Sequence, residues 1–349
     1  MSIILDGTSG ITAPTYGGTV ASEYHVPVTA FKNRIINGNM AIDQRNAGAA
    51  SANTVVGYFL DRWNIAVAAT GKLIAQQNQG SIAPPIGFSN YFGVTSQSAY
   101  SLLTTDVYGI FQPIEGFNTA DLGFGTANAQ AVTVSFWVRS SLTGTFGASL
   151  RNGTTTRSYP FSYSISSANT WQYITITVPG DTTGTWAGAT NGVGIYIQFS
   201  VGTGATFTST AGSWQTGNYI SATGATSVVG TSGATFYITG VQLEKGSTAT
   251  SFDQRAYSQE LAMCQRYYEI GTAYGEGYQT VNAPIGIGGK FQVPKRATPT
   301  TTYPTFTNIS NARAGADRAI YLDGYSRYCL ANATGALAGS ETFTASAEL

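Results

Sequence analysis

The feature that most constrains this chain is a set of short alternating segments, separated by Gly/Thr/Ser-rich stretches, with no helical segment between them. Val132, Val134, Phe136 and Val138 alternate with Thr133, Ser135, Trp137 and Arg139. Val193, Ile195, Ile197, Phe199 and Val201 alternate with Gly194, Tyr196, Gln198 and Ser200, and Ile174, Ile176 and Val178 repeat the pattern. Period two is the mark of a strand with one buried face. In Phe236–Leu243 the apolar set changes phase at Gly240, as a β-bulge would make it do. Strand after strand without a helix implies antiparallel pairing, hence a sandwich or jelly roll.

The flanks of this region read differently. Residues 1–32 hold no sustained period; Ile3, Ile4 and Leu5 form an apolar patch before the turn signal Asp6-Gly7, and Pro14 and Pro27 punctuate the rest. The segment reads as an extended attachment arm that orders on a partner. Residues 254–269 contain no Gly or Pro, and Tyr257, Leu261, Cys264 and Tyr268 form one helical stripe. Asp253 or Ser251 is the expected cap and Gly271 the expected end. Beyond it, residues 290–294 read as a short strand closed by Pro294, Asp323-Gly324 as a type I′ hairpin turn, and residues 341–349 as a last strand. The expected architecture is mainly β: an N-terminal arm (1–32), an antiparallel jelly-roll β-sandwich (33–252), a linking helix (253–270) and a small C-terminal β module (271–349).

Composition removes several function classes. Charged residues are 10% of the 349, against about 25% in ordinary soluble domains, and the net charge is zero. Aromatic residues reach 12%, which argues against disorder, and no apolar run approaches the length of a membrane helix. Lys290, Lys295 and Arg296 are the densest basic spot, too little for a nucleic-acid partner. The start of the chain has no basic or apolar region of a secretory signal. Cys264 and Cys329 stand outside any CxxC and read as two buried thiols, and no metal or other cofactor is expected.

Candidates for chemistry are sparse. The single histidine, His25, lies in the arm, so a nucleophile–histidine pair is disfavoured. Asp61, Asp106, Glu115, Asp121, Asp181 and Glu244 lie in the sandwich region, but no spacing singles out a glycosidase pair. Sugar binding by flat aromatic faces and amides suits a chain this poor in charge. Trp171, Trp186 and Trp214 lie near loops, and Asn218 and Tyr219 follow Trp214. Trp214, Asn218, Tyr219 and Trp186 are therefore the glycan-binding candidates, the alternative being burial of both rings at a subunit contact. Trp63, after Asp61-Arg62, reads as core or as an ion-pair corner.

Several stretches together resemble bacteriophage tail-fibre and minor virion structural proteins with a carbohydrate-binding-module-like jelly roll. Residues 33–45 resemble the opening strand of that group and Tyr58-Phe-Leu-Asp-Arg-Trp63 its next element. Residues 238–246 are similar to its closing strand, and 252–255 with 260–268 to its following helix. Residues 291–299 and 347–349 resemble its C-terminal module. The resemblance implies a non-enzymatic virion fibre or appendage subunit, with host-surface glycan as a possible contact, without membrane insertion. It also implies a homotrimer, joined to other virion proteins through residues 1–32 and assembled in the host cytoplasm. Alternatives are a head fibre or capsid decoration subunit and a polysaccharide-degrading enzyme. Arg34, Arg45, Asp61, Arg62, Glu244 and Arg255 are expected to staple the first strand, the last strand and the helix.

Overall fold

Alternating side chains give each strand one inward face, and two sheets that share an apolar layer form a sandwich. A computed structural model describes residues 4–6, 10–12, 31–51 and 56–349. In chain order the strands are β1 (Ile4–Asp6), β2 (Gly10–Thr12), β3 (Gly57–Leu60), β4 (Trp63–Ala66), β5 (Leu73–Gln77), β6 (Phe92–Ser96), β7 (Val107–Glu115) and β8 (Val132–Ser140). There follow β9 (Gly144–Asn152), β10 (Arg157–Ile165), β11 (Gln172–Val178), β12 (Val193–Thr203), β13 (Thr208–Ser209), β14 (Gln215–Thr216), β15 (Ser221–Ala222) and β16 (Thr235–Lys245). Helix α1 (Tyr257–Gln265) precedes β17 (Tyr268–Gln279), β18 (Pro284–Lys290), β19 (Thr300–Ser310), β20 (Ala312–Ile320), β21 (Gly324–Ala331) and β22 (Gly335–Ser346).

Contacts divide the chain into two units, residues 1–32 and 33–349. In the first, β1 pairs antiparallel with β2, Leu5 opposite Ile11. Ile4 and Leu5 of the expected arm patch thus belong to a short strand, while Ile3 and His25 lie outside the described residues.

In the second unit a seven-stranded sheet, ordered β14-β10-β9-β12-β7-β4-β3, faces a five-stranded sheet, ordered β11-β8-β16-β6-β5. Their pairings are antiparallel, and the two-residue pair β13–β15 is parallel. The phase change at Gly240 is a real bulge: register with β8 shifts between Thr239 and Gln242, and Gly240 has φ +61°. The inward residues of β8 and β12 join one apolar core, as their alternation requires. Trp63 is fully buried in it and donates its ring N–H to the Asn37 carbonyl at 2.9 Å.

The remaining strands form two three-stranded sheets, β17-β22-β19 and β18-β21-β20, around a small core that includes Phe291, Tyr325, Leu337 and Phe343. Both cysteines are buried free thiols.

Several local expectations are corrected. Residues 33–45 are a buried loop, not a strand. Asn37 and Met40 adopt left-handed backbone, and the Asn37 side chain ties the Ile42 backbone to the Asp61 carbonyl at 2.8–2.9 Å. The helix spans Tyr257–Gln265 and starts at Ala256 without a side-chain cap, because Asp253 instead meets Asn33 and Arg255. Its expected stripe breaks up: Tyr257 is 64% exposed, Leu261 is half-buried, and Tyr268 opens β17, opposite Ser346, with Gly271 inside that strand. Glu260 and Cys264 are the helix's buried residues. The strand at 290–294 ends at Lys290, and the 320–325 hairpin forms without the positive φ that a type I′ turn needs. The last strand begins earlier, at Gly335, and ends at Ser346.

Of the six conspicuous charges, Arg34, Arg45, Arg62 and Arg255 form ion pairs that act as staples, whereas Asp61 and Glu244 accept hydrogen bonds instead. The Arg255 guanidinium meets the Asn33 carbonyl, the Ile35 carbonyl (3.1 Å) and Glu260, whose carboxylate also accepts the Asn37 N–H. Arg34 pairs with Asp121 at 2.8 Å. Glu348 binds Arg45 (2.6 Å) and Arg62, and the two guanidiniums lie 3.6 Å from the Tyr268 and Tyr267 ring centres. Glu115 receives Arg266 (2.7 Å) and the Tyr267 hydroxyl (2.6 Å), and Lys295 meets Glu269 at 2.5 Å in full burial. This ionic seam joins the loop at 33–45, the helix and the last residues of the chain. Asp61 sits within it, accepting the Gln44 backbone N–H (2.6 Å) and side-chain amide (2.8 Å), and burial pushes its pKa up to about 6.

Candidate functional site

The best-formed concavity lies on the five-stranded sheet, on the face turned away from the core. There β8 turns out Ser135 and Trp137, and β11 turns out Tyr173 and Thr175. Tyr173 and Trp137 are direct cross-strand partners with ring centres 5.3 Å apart, and Tyr173 is 45% exposed. Such a pair on an outward face is a half-wet aromatic platform.

One wall of the groove depends on the bulge. A Cβ on Gly240 would meet the Phe88 ring at 2.6 Å and the Trp137 ring at 3.2 Å, so only glycine lets these rings approach the sheet there. Phe88 in turn packs edge-on against Phe252, 5.1 Å between centres. The rim residues 249–252 are held from below. The Thr250 N–H (2.9 Å) and hydroxyl (2.7 Å) donate to the buried Glu244 carboxylate. The Gln242 amide donates to the same carboxylate at 2.8 Å, and its oxygen accepts the Asp253 N–H at 2.9 Å.

The open groove has a volume of about 640 Å³ and is lined by Phe88, Trp137, Tyr173, Phe252, Gly240 and the hydroxyl-bearing residues Ser135, Thr175, Thr250 and Ser251. That volume lies within the usual range of small-ligand sites, roughly 300–1,000 Å³. No lining side chain is charged. The arrangement can stack apolar faces and exchange hydrogen bonds with hydroxyls.

The residues expected to bind glycan stand elsewhere. Trp186 and Trp214 come together edge to face, 5.4 Å apart, with Phe124 against both. Their ring N–H groups donate to the Thr183 (3.1 Å) and Pro179 (2.6 Å) carbonyls. Asn218 accepts a 2.6 Å hydrogen bond from Arg151, and the Tyr219 N–H donates to the Ser158 hydroxyl. The Trp171 ring N–H donates to the Ala83 carbonyl at 2.9 Å. Of the six candidate acids, Glu115, Asp121 and Asp181 pair with cations, Asp106 accepts the Leu103 N–H, and Asp61 and Glu244 are held as described.

Trp137 and Tyr173 were missed as site residues although the signal was present. Each is a large aromatic on the polar phase of an alternating strand, among Thr133, Ser135 and Arg139 in one case and Thr175 and Thr177 in the other.

No protein-family model matches the sequence, and a search of curated protein sequences finds no relative. Among solved structures, the chain is similar to a candidate sugar-binding protein of Bacteroides thetaiotaomicron, at 12% identity and TM-score 0.35, over 61% of this chain and 99% of that one. It is also similar to the enzymatically active domain of tailspike protein 4 of bacteriophage CBA120, at 12% identity and TM-score 0.33, over 61% of this chain and 21% of that one. A family 11 carbohydrate-binding module of Clostridium thermocellum, in complex with a β-1,3-1,4-mixed-linked tetrasaccharide, is similar at 10% identity and TM-score 0.28, over 58% of this chain and all of that one. Likenesses at this level are loose, and the reading of the site rests on its own geometry. Among the described residues no helix is long and apolar enough to cross a membrane, and no group of three His, Cys, Asp or Glu could hold a metal ion.

Proposed function

We propose that this chain is a non-catalytic carbohydrate-binding subunit of a bacteriophage fibre or appendage, and that a neutral glycan lies in the groove over Trp137 and Tyr173. Residues 1–32 are the segment that joins it to other particle proteins. The observation that carries the binding reading is a groove of ligand size floored by two outward aromatics and edged by hydroxyls, without one carboxylate, amine or guanidinium. A sugar presents an apolar ring face and a rim of hydroxyls, and each has its match there. Hydrolysis needs two carboxylates beside the scissile bond, and the groove offers none, which favours binding over cleavage. The particle assignment rests on the ordered series of sequence resemblances.

Titration calorimetry against a panel of neutral oligosaccharides and polysaccharides tests the site. Binding should fall at least tenfold in Trp137→Ala and Tyr173→Ala while the urea midpoint stays near wild type, since neither ring is in the core. A wild-type protein that binds no member of the panel, or binding unchanged in both variants, overturns the reading. Gold labelling of the subunit on intact particles tests the virion assignment separately.

A further inference from the structure

The two sheets of the small sandwich turn very different faces to solvent. The outer face of β18-β21-β20 carries Lys290, Arg313 and Arg318, the last stacked over Tyr328 at 5.3 Å. The outer face of β17-β22-β19 is almost free of charge. Its middle strand turns out Ala336, Ala338, Ser340, Thr342, Thr344 and Ser346, in strict alternation with buried residues. Along one edge β17 raises a ridge of Ile270, Tyr274 and Tyr278, which are 37%, 51% and 73% exposed. Glu276 is the only charged residue β17 adds to this face, and it accepts a hydrogen bond from the Tyr274 hydroxyl at 2.7 Å. Along the other edge, β19 has no buried residue in eleven. One of its outward threonines, Thr302, already pairs with Thr344 at 2.7 Å, so covering that pair would orphan neither hydroxyl.

We propose that this face is where a second copy of the chain packs. Three strands of this length cover about 14 by 36 Å, or roughly 500 Å² in projection. Relief from the side chains brings this toward the roughly 800 Å² that each partner contributes to a stable interface. The face shares with interfaces its scarcity of charge and, along the β17 edge, its exposed tyrosines. The occupant is a copy because the face complements itself. A twofold axis along β22 sets the Ile270–Tyr274–Tyr278 ridge of each copy over the flat threonine edge of the other. The small Ala336–Ser346 strips then meet at sheet-to-sheet distance. A partner of strong charge would find only Glu276 on this face to pair with.

Light-scattering mass of the full chain, measured across a concentration series, decides the matter. Wild type should associate as concentration rises. Ala338→Lys in the centre and Tyr278→Lys on the ridge should each weaken association at least tenfold, with unchanged circular dichroism. Arg318→Glu on the opposite sheet should leave it unchanged. A wild type that stays a single copy throughout overturns the proposal. So does association that both lysine variants retain. Tyr278 is largely exposed, so its variant decides should Ala338→Lys misfold.

Discussion

The large sandwich encloses thirty-nine buried apolar residues among those described, from Ile35 to Leu243, whereas the small one encloses ten. The large core is continuous and almost wholly apolar. The small one admits an ion pair, Arg327 to Glu341 at 3.1 Å, into its interior, and is joined at its base to the seam of Lys295–Glu269 and of Glu348 with Arg45 and Arg62. A small layer with little apolar area thus relies on joints with its neighbour. The two kinds of support fail differently. A lost methylene in the large core leaves a cavity, while a lost partner in the seam leaves a buried charge.

The largest expected effect breaks the comparison at the seam. Glu348→Ala strands the fully buried Arg62 without a carboxylate, at a cost of about 3–5 kcal/mol. Calorimetric unfolding, expected as one transition in wild type, should then separate into two steps with the small sandwich melting first. A single transition at the wild-type temperature would show that the seam joins nothing. Next comes pH. Burial lifts the Asp61 pKa from 3.8 in the unfolded chain to about 6 in the fold. The folded state therefore holds the extra proton between those values. Stability from this group is greatest below about pH 4 and declines by roughly 3 kcal/mol as pH rises through 6. Asp61→Asn should flatten that decline in urea midpoints measured on either side of the window; parallel profiles would refute it. The smallest effect sharpens the helix's role. Leu261 is half-buried against the seam cluster, so Leu261→Ala should cost about 1 kcal/mol by urea denaturation. A loss above about 2 kcal/mol would give it the weight of a core residue.

What was legible in the sequence follows the range of the cause. Alternation at Val132–Val138 and the slipped phase at Gly240 are local, so strand, buried face and bulge could all be read. The loop at 33–45 could not, because its shape is set by Glu260 and Arg255, more than two hundred residues away. The helix stripe failed at Tyr268 because pairing with Ser346 draws that residue into a strand. The groove was half legible: Trp137 and Tyr173 each occupy an outward position, but only the pairing of β8 with β11 sets them side by side. Charge content showed that ion pairs would matter, without showing that one glutamate would serve two arginines.

That shared glutamate has a consequence for how the chain is made. Arg45 and Arg62 stand 303 and 286 positions before Glu348. At roughly 5–20 residues per second, a ribosome that has just released Arg62 needs on the order of 15–60 s to reach their partner. Throughout that interval the large sandwich can form around its apolar core, while the two guanidiniums remain in water. The residues around Glu348 then act as a latch that closes only once that glutamate has been made, so that a chain abandoned before it is left open and within reach of proteases.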